Sequence, residues 1–316
     1  MLDLEKRKSK NKSKKITIIR HCVQIISFVF FHYVILELLF TINLNVFEGV
    51  VKVQPFLSSP RNSLTDGGGI VEFMFYFFTQ GTFPLLLIGV FVLLILLTNR
   101  FVCGWLCPIG AIQDVLSYIP ADEKTISYTT HQRLLKIKYF IIILLILIMV
   151  SLWISKIANE EFYESYKQSV GLLGTRPIAF FSLSEFLFVF LPDVVANIFL
   201  TASLAPIFAD FWSFFAFFFY MIIIILSVFY PRAYCRYICP FGALCARISK
   251  YSFLKLTRNP VKCVGRQECG VCERMCPKQI RILDETFEGF YGEGECNLCG
   301  KCLEECPYDA IEIKFG

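Results

Sequence analysis

An all-α polytopic membrane domain of four transmembrane helices with an internal repeat, joined to a small α+β cysteine-rich domain, is the fold class that the sequence predicts. Three observations predict it. The 316-residue chain is 56% hydrophobic and 16% aromatic with only 18% charge, a balance that soluble domains rarely show and multi-span proteins commonly do. Its Lys and Arg residues gather between the apolar segments. Twelve of its fourteen cysteines fall into recurring patterns, and eight of those twelve lie after residue 262.

A spanning helix needs about 20 mostly apolar residues. Four segments qualify: Ile16–Phe40, with Arg20 near one end and Glu37 near the other; Gly81–Thr98; a run centred on Tyr139–Ser155; and the uncharged stretch between Asp210 and Arg232. The first is too long and bulky, and too poor in small residues at its end, for a cleaved secretory signal, so it reads as an uncleaved span. Lys6, Arg7, Lys8, Lys10, Lys12, Lys14 and Lys15 crowd a polar tail over residues 1–15. Such a run can bind nucleic acid, but beside an apolar span it reads as a signal that keeps the tail inside, so no nucleic-acid partner is expected. The stretches around Arg100–Lys138 and Arg232–Lys262 are also basic, whereas the remaining two loops are poor in Lys and Arg. The positive-inside rule then expects a multi-pass protein of the cytoplasmic (inner) membrane with both termini in the cytoplasm. Residues 178–208 are apolar but carry Glu185, Pro192, Asp193 and Pro206, which reads as broken helices at the outer surface in place of a fifth span. The resulting division is a basic tail over 1–15, a membrane domain over 16–252 and a cysteine-rich domain over 253–316.

The internal repeat lies within the membrane domain. Arg100-Phe-Val-Cys103-Gly-Trp-Leu-Cys107-Pro108-Ile-Gly110-Ala111-Ile aligns with Arg232-Ala-Tyr-Cys235-Arg-Tyr-Ile-Cys239-Pro240-Phe-Gly242-Ala243-Leu. Each copy follows an expected outside-to-inside span, so one helical hairpin is used twice about a local pseudo-twofold axis.

The C-terminal thiols carry the most specific chemistry. Cys296, Cys299, Cys302 and Cys306-Pro307 form the bacterial ferredoxin run, three close thiols and a fourth followed by proline; Cys263, Cys269, Cys272 and Cys276-Pro277 form a looser copy. The domain is therefore a two-cluster, bacterial ferredoxin-like one. The fourth cysteine of each run usually serves the other cluster. On that rule, one [4Fe-4S] cluster takes Cys263, Cys269, Cys272 and Cys306, and the second takes Cys296, Cys299, Cys302 and Cys276. Four-thiolate zinc is the competing reading, but zinc sites use two Cys-x-x-Cys pairs without the closing Cys-Pro. Cluster assembly and thiol reduction both favour the cytoplasmic side.

At their spacing, Cys103 with Cys107 and Cys235 with Cys239 share a helix face, with β-carbons roughly 6 Å apart. Three readings stay open for them: a third cluster or metal site, redox dithiols, or buried small side chains. Cys22 and Cys245 belong to no pattern and read as packing residues. Oxidising a quinol releases protons with the electrons, so a quinone pocket wants a protonatable side chain at the membrane edge; His32, Glu37 and Asp193 are the candidates.

On Phe-Val-Cys103-Gly-Trp-Leu-Cys107-Pro108, Cys235-Arg-Tyr-Ile-Cys239-Pro240-Phe-Gly242-Ala243-Leu and the eight-cysteine block, the chain resembles the NapH-type membrane quinol-dehydrogenase ferredoxin subunits that accompany periplasmic nitrate reductase. The resemblance implies four spans, cytoplasmic termini and two [4Fe-4S] clusters. It also implies electron flow from the membrane quinone pool to a partner iron–sulfur or haem redox protein of an anaerobic respiratory reductase. Two other groups with Cys-x-x-x-Cys-Pro pairs are also similar, the regulators of nitrous-oxide reductase and oxidase-assembly proteins proposed to reduce copper. The alternatives are thus a metal- or thiol-reducing assembly factor for a cuproenzyme, and a membrane anchor that wires a soluble redox enzyme.

Overall fold

The computed structural model describes residues 15–31, 40, 70–119, 125–170, 178–201, 204–208 and 211–316, apart from 288, 290, 291 and 293. In chain order the helices are α1 (Lys15–Phe31), α2 (Ile70–Thr79), α3 (Leu85–Thr98), α4 (Phe101–Trp105), α5 (Pro108–Leu116), α6 (Tyr128–Ala158) and α7 (Glu160–Val170). They continue as α8 (Leu183–Thr201), α9 (Ala205–Phe208), α10 (Phe211–Phe229), α11 (Ala233–Tyr237) and α12 (Pro240–Ser249). The C-terminal region adds β1 (Leu254–Arg258), the short helices α13 (Gly265–Glu268), α14 (Val271–Arg274) and α15 (Lys301–Glu304), and β2 (Ile311–Phe315).

Among the described residues, α6 and α8 are long and apolar enough to cross a membrane, and α2, α3 and α10 are shorter apolar helices. α6 exposes Phe140, Ile143, Leu147, Ile154 and Ile157, an apolar face too continuous for a surface that must stay in water. The expected first span is helical over α1, and its remainder after residue 31 lies almost wholly outside the described residues. The expected third and fourth spans fall within α6 and on α10. The expectation for residues 178–208 needs correction. A 3-10 turn at Ala179–Phe181 leads into one continuous helix, α8, which runs straight through Pro192. Over Phe186–Phe190 the helix widens into a π-turn, with Leu191 N–H bonded to Phe186 O. That local widening lets the chain pass a residue that lacks an N–H and crowds the preceding turn.

The chain divides into two compact units. The first contains Val92–Ala111, Leu244–Gly316 and the described part of Met1–Phe28, and so reaches well before residue 253. Its sheet is the antiparallel pair β1–β2, with Leu256 opposite Ile313 and Arg258 opposite Ile311. Leu256, Ile280, Ile282, Leu298 and Ile311 pack among Cys272, Cys296 and Cys302 to form its core. α1 is built onto this core. Glu304 of α15 accepts from Ile16 N at 2.9 Å, from the Thr17 N–H and from the Thr17 hydroxyl, so its carboxylate caps the first turn of α1, where free N–H groups and the helix dipole favour an anion. One turn and more further on, Gln24 donates to Gly104 O at 3.2 Å and Ser27 to Leu106 O at 2.7 Å. The end of α3 is tied in as well, through Asn99 Nδ2 to Leu254 O (2.8 Å) and Phe253 N to Leu96 O (2.8 Å).

The second unit spans Val29–Phe91 and Ile112–Ala243. In it α2, α7 and α11 all pack on α6, and α10 packs on α11. Buried polar ties fix α11. Arg232, in a left-handed conformation (φ 55°) that a branched cation rarely adopts, donates to both Asp114 oxygens at 2.7 and 2.6 Å. Arg236 and the Tyr237 hydroxyl meet at His131 Nδ1 (3.1 and 2.8 Å). The Tyr234 hydroxyl accepts from Leu183 N–H and donates to Phe181 O, holding the entry to α8. Asp114 and Arg232 are almost wholly buried, so Asp114→Ala strands a charge with no water to replace its partner. The expected loss is about 3–5 kcal/mol, read from denaturant unfolding of the detergent-solubilised protein; a loss under about 1 kcal/mol would show that Arg232 has access to water.

Candidate iron–sulfur site

The C-terminal cysteines are placed by short local turns. Gly270 (φ 62°) and Gly300 (φ 78°) stand in the left-handed region directly after Cys269 and Cys299, and each starts the one-turn helix that carries the next cysteine, Cys272 or Cys302. At Gly300 a β-carbon would also lie 2.6 Å from Ile16, so the glycine permits the approach of α1.

Cys263, Cys269, Cys272 and Cys306 line one open pocket, walled by Val264, Val271, Leu283, Pro307 and Ile311. The stretched step from Cys263 to Cys269 is taken up by α13, which turns the chain so that both thiols still face the cavity. Burial, then Glu273 and the neighbouring Cys263, Cys306 and Cys269, pushes the Cys272 thiol up to about 12. Burial likewise pushes Cys296 up to about 12, with Cys299 and Cys276 as its thiol neighbours. Cys302 is pushed well above the ordinary thiol range, through burial and then Cys299, Cys296, Cys276 and Cys272. Four such thiols cannot all ionise in an apolar pocket without a compensating cation, because each thiolate repels the others at low dielectric. Iron supplies that charge, and thiolates are its ligands in clusters. Among the described residues, no three Cys, His, Asp or Glu side chains converge closely enough for a single metal ion. The donor set, four thiols around one pocket, fits a cluster.

The paired cysteines are arranged differently from the expectation. Cys103 lies in α4, but Cys107 lies beyond its end, as the residue before α5; Cys239 has the same place between α11 and α12. Pro108 and Pro240 cause the break. Proline excludes the preceding cysteine from a continuing helix and begins a new one well. Both stretches make the same bonds: Leu106 and Cys107 N–H to Val102 O, Ile238 and Cys239 N–H to Tyr234 O, Ala111 N–H to Cys107 O, and Ala243 N–H to Cys239 O. Cys103 and Cys107 belong to the first unit, and Cys235 and Cys239 to the second. The sulfurs have donors. Gln113 Nε2 lies 2.9 Å from Cys235 Sγ, Gly242 N lies 3.4 Å from Cys239 Sγ, and Cys103 shares a side-chain hydrogen bond with Cys245. That bond, set against burial and helped by the charges of Arg100 and Lys278, holds the Cys103 thiol down at about 6.

α4 meets the loop between Cys296 and Cys299. Trp105 Nε1 donates to Leu298 O at 2.8 Å, and Arg100 donates to Gly294 O and Glu295 Oε2 at 2.9 and 3.0 Å. A β-carbon on Gly104 would lie 2.2 Å from Asn297 O, so only glycine allows this approach. Of the quinone candidates, His32 and Glu37 lie outside the described residues, while Asp193 is exposed on α8 and paired with Asn197. The sequence reading missed Gln113, Cys245, Arg100, Glu295 and the His131–Arg236–Tyr237 cluster. Only the Arg three residues before each first cysteine repeats visibly enough to have been noticed.

The comparisons agree with this chemistry. Family models described as 4Fe-4S binding domains match residues 80–126, 212–258 and 291–312. The uncharacterized protein MJ0749 of Methanocaldococcus jannaschii is 24% identical over 70% of this chain and 67% of its own length. The putative electron transport protein YccM of Escherichia coli is 26% identical over 71% of this chain and 53% of its own length, and the regulatory protein NosR of Stutzerimonas stutzeri is 25% identical over 66% and 24%. No solved structure matches the chain. Fold, thiols and relatives define the class, an iron–sulfur protein of a membrane-associated electron-transfer group. Through a 53-residue stretch, 34% identical to 87% of a ferredoxin of Methanothermococcus thermolithotrophicus, the chain belongs to the ferredoxin family.

The grouping of Cys306 with the run it does not belong to in sequence has a direct check. Cys306→Ser is expected to lower bound iron by about half. Adding Cys269→Ser removes no more, and adding Cys299→Ser removes most of the remainder, as read by iron assay and low-temperature EPR. Loss of the remainder with Cys269→Ser instead would assign Cys306 to the other set.

Proposed function

We propose that the chain is a four-span membrane protein that oxidises quinol and passes the electrons through [4Fe-4S] clusters to an iron–sulfur or haem partner of a respiratory reductase. The observation that supports this is the pocket that gathers Cys263, Cys269, Cys272 and Cys306, with Cys299 and Cys276 near Cys296, in a unit that also holds the ends of the apolar helices α1 and α3. A carrier so fixed to apolar helices serves donors dissolved in the membrane better than a freely diffusing one would. Cys263, Cys269, Cys272 and Cys306 would hold one cluster, and Cys276, Cys296, Cys299 and Cys302 the second. Each cluster supplies reversible one-electron transfer when bound. The protein's own residues exclude water through Val264, Val271, Leu283 and Ile311, and keep the thiolates in place through the glycine turns. The paired cysteines Cys103, Cys107, Cys235 and Cys239 would be further iron ligands, a reading supported by the 4Fe-4S family match over both stretches and by the hydrogen bonds to their sulfurs. The same double match supports the internal repeat.

Four spans, with α8 outside the count, suit the exposed Asp193 near the middle of that helix, since a lipid-facing carboxylate is costly. The basic loops then set both termini in the cytoplasm. The name of YccM speaks for electron transport, while that of NosR keeps a regulatory or assembly role as the second reading.

Dithionite-reduced protein in liposomes is expected to regain its oxidised cluster absorbance within the mixing time after addition of a short-chain quinone, since electron transfer is reversible. Clusters that stay reduced with quinone and re-oxidise with cupric ion would contradict quinol chemistry and favour metal reduction by an assembly factor.

A further inference from the structure

β1 ends on Arg258, and its pairing with Ile311 brings both residues to the pocket that gathers Cys263, Cys269, Cys272 and Cys306. Ile311 adds apolar wall. Arg258 adds charge: among the described residues that line the pocket, no other is a Lys, Arg, Asp or Glu. The side chain is almost sealed from solvent, the residue being 6% exposed, and it is held on several sides. Nη2 donates to Leu283 O at 3.3 Å and to Glu285 O at 3.0 Å, and the guanidinium carbon lies 4.2 Å from the centre of the Phe287 ring. Nη1 donates to Cys263 Sγ at 3.7 Å. Nε is buried as well and has no hydrogen-bond acceptor among the described residues. A guanidinium at a strand end can serve simply to pin the turn that carries Leu283 and Glu285. A neutral donor would do that without the cost of burying a charge, so the cation facing a cysteine sulfur needs another reason.

We propose that Arg258 is a positioning residue for the iron site of this pocket: by donating to the Cys263 sulfur it raises the redox potential of the cluster that Cys263, Cys269, Cys272 and Cys306 would hold. This rests on the reading of those four thiols as cluster ligands. On one-electron reduction the site gains one negative charge, and no bond is made or broken. A cation that also donates to a ligating sulfur stabilises that added charge, and does so more strongly in an apolar pocket than in water. Arg258 thus tilts the sharing of an electron between the two clusters toward this one.

The test uses the full-length protein, purified anaerobically in detergent, with potentiometric titration against dithionite followed by EPR, and with an iron assay. The midpoint that Cys269→Ser removes belongs to this site; the midpoint that Cys299→Ser removes is the internal control. Arg258→Met, close in length and without charge or donor, is expected to move the first midpoint to more negative potential and leave the control in place. At the wild-type midpoint the ratio of reduced to oxidised cluster should fall roughly tenfold, about 59 mV for one electron. Arg258→Gln, which keeps a donor for the carbonyls but no charge, is expected to shift it in the same direction. Phe287→Leu loosens the packing against the guanidinium without removing it, and is expected to keep the wild-type midpoint. An unchanged midpoint in a neutral variant that keeps its iron overturns the proposal, and so does a shift in Phe287→Leu as large as that in Arg258→Met. Loss of this site's iron in both neutral variants also overturns it, since Arg258 is then a structural prop. If the wild type shows no signal that Cys269→Ser removes, and that variant keeps full iron, it is the cluster reading of the pocket that has failed.

Discussion

Four sulfurs crowded into an apolar pocket impose the constraint on which the rest depends. As thiols they leave the pocket without a function that needs four of them; as thiolates they repel one another unless a cation sits between them. Burial already holds Cys272, Cys296 and Cys302 strongly toward the neutral form. Stripping those protons requires a metal, and the same requirement couples metal binding to folding. The aliphatic core here is small, and a two-stranded sheet alone is marginal in water. Iron would therefore be part of what holds this region together.

The second consequence concerns attachment. Glu304 stands between Cys302 and Cys306, and it caps α1. Trp105 and Gly104 stand between Cys103 and Cys107, and they meet the backbone between Cys296 and Cys299. Residues that fill the gaps between the cysteines thus serve as joints to the apolar helices. Arg100 and Glu295 add a buried ion pair at the same place: burial works against the Arg100 charge, and Glu295 together with Cys103 and Cys245 more than offsets it. Displacing the loop that carries the thiols would require breaking several of these contacts together.

Much of this was legible in the sequence, for identifiable reasons. Cysteine spacing is a strong local signal, because a cubane corner needs ligands at fixed short separations. Apolar runs located most of the helices. The break before Pro108 and Pro240 was written in the sequence too, but the reading of two cysteines on one helix passed over the effect of proline on the residue before it. The continuity of α8 was hidden, since a π-turn that accommodates Pro192 leaves no mark in composition. Gln113 and Cys245 were also hidden. Their pairing with Cys235 and Cys103 depends on contacts between residues more than a hundred positions apart.

Metal analysis of the anaerobically purified protein tests the central claim most directly. Iron and acid-labile sulfide in near-equal amounts, about eight of each per chain or more, with the brown absorbance and the reduced-state EPR of four-iron clusters, are the predicted result. Zinc in place of iron, or a colourless protein without sulfide, would contradict it.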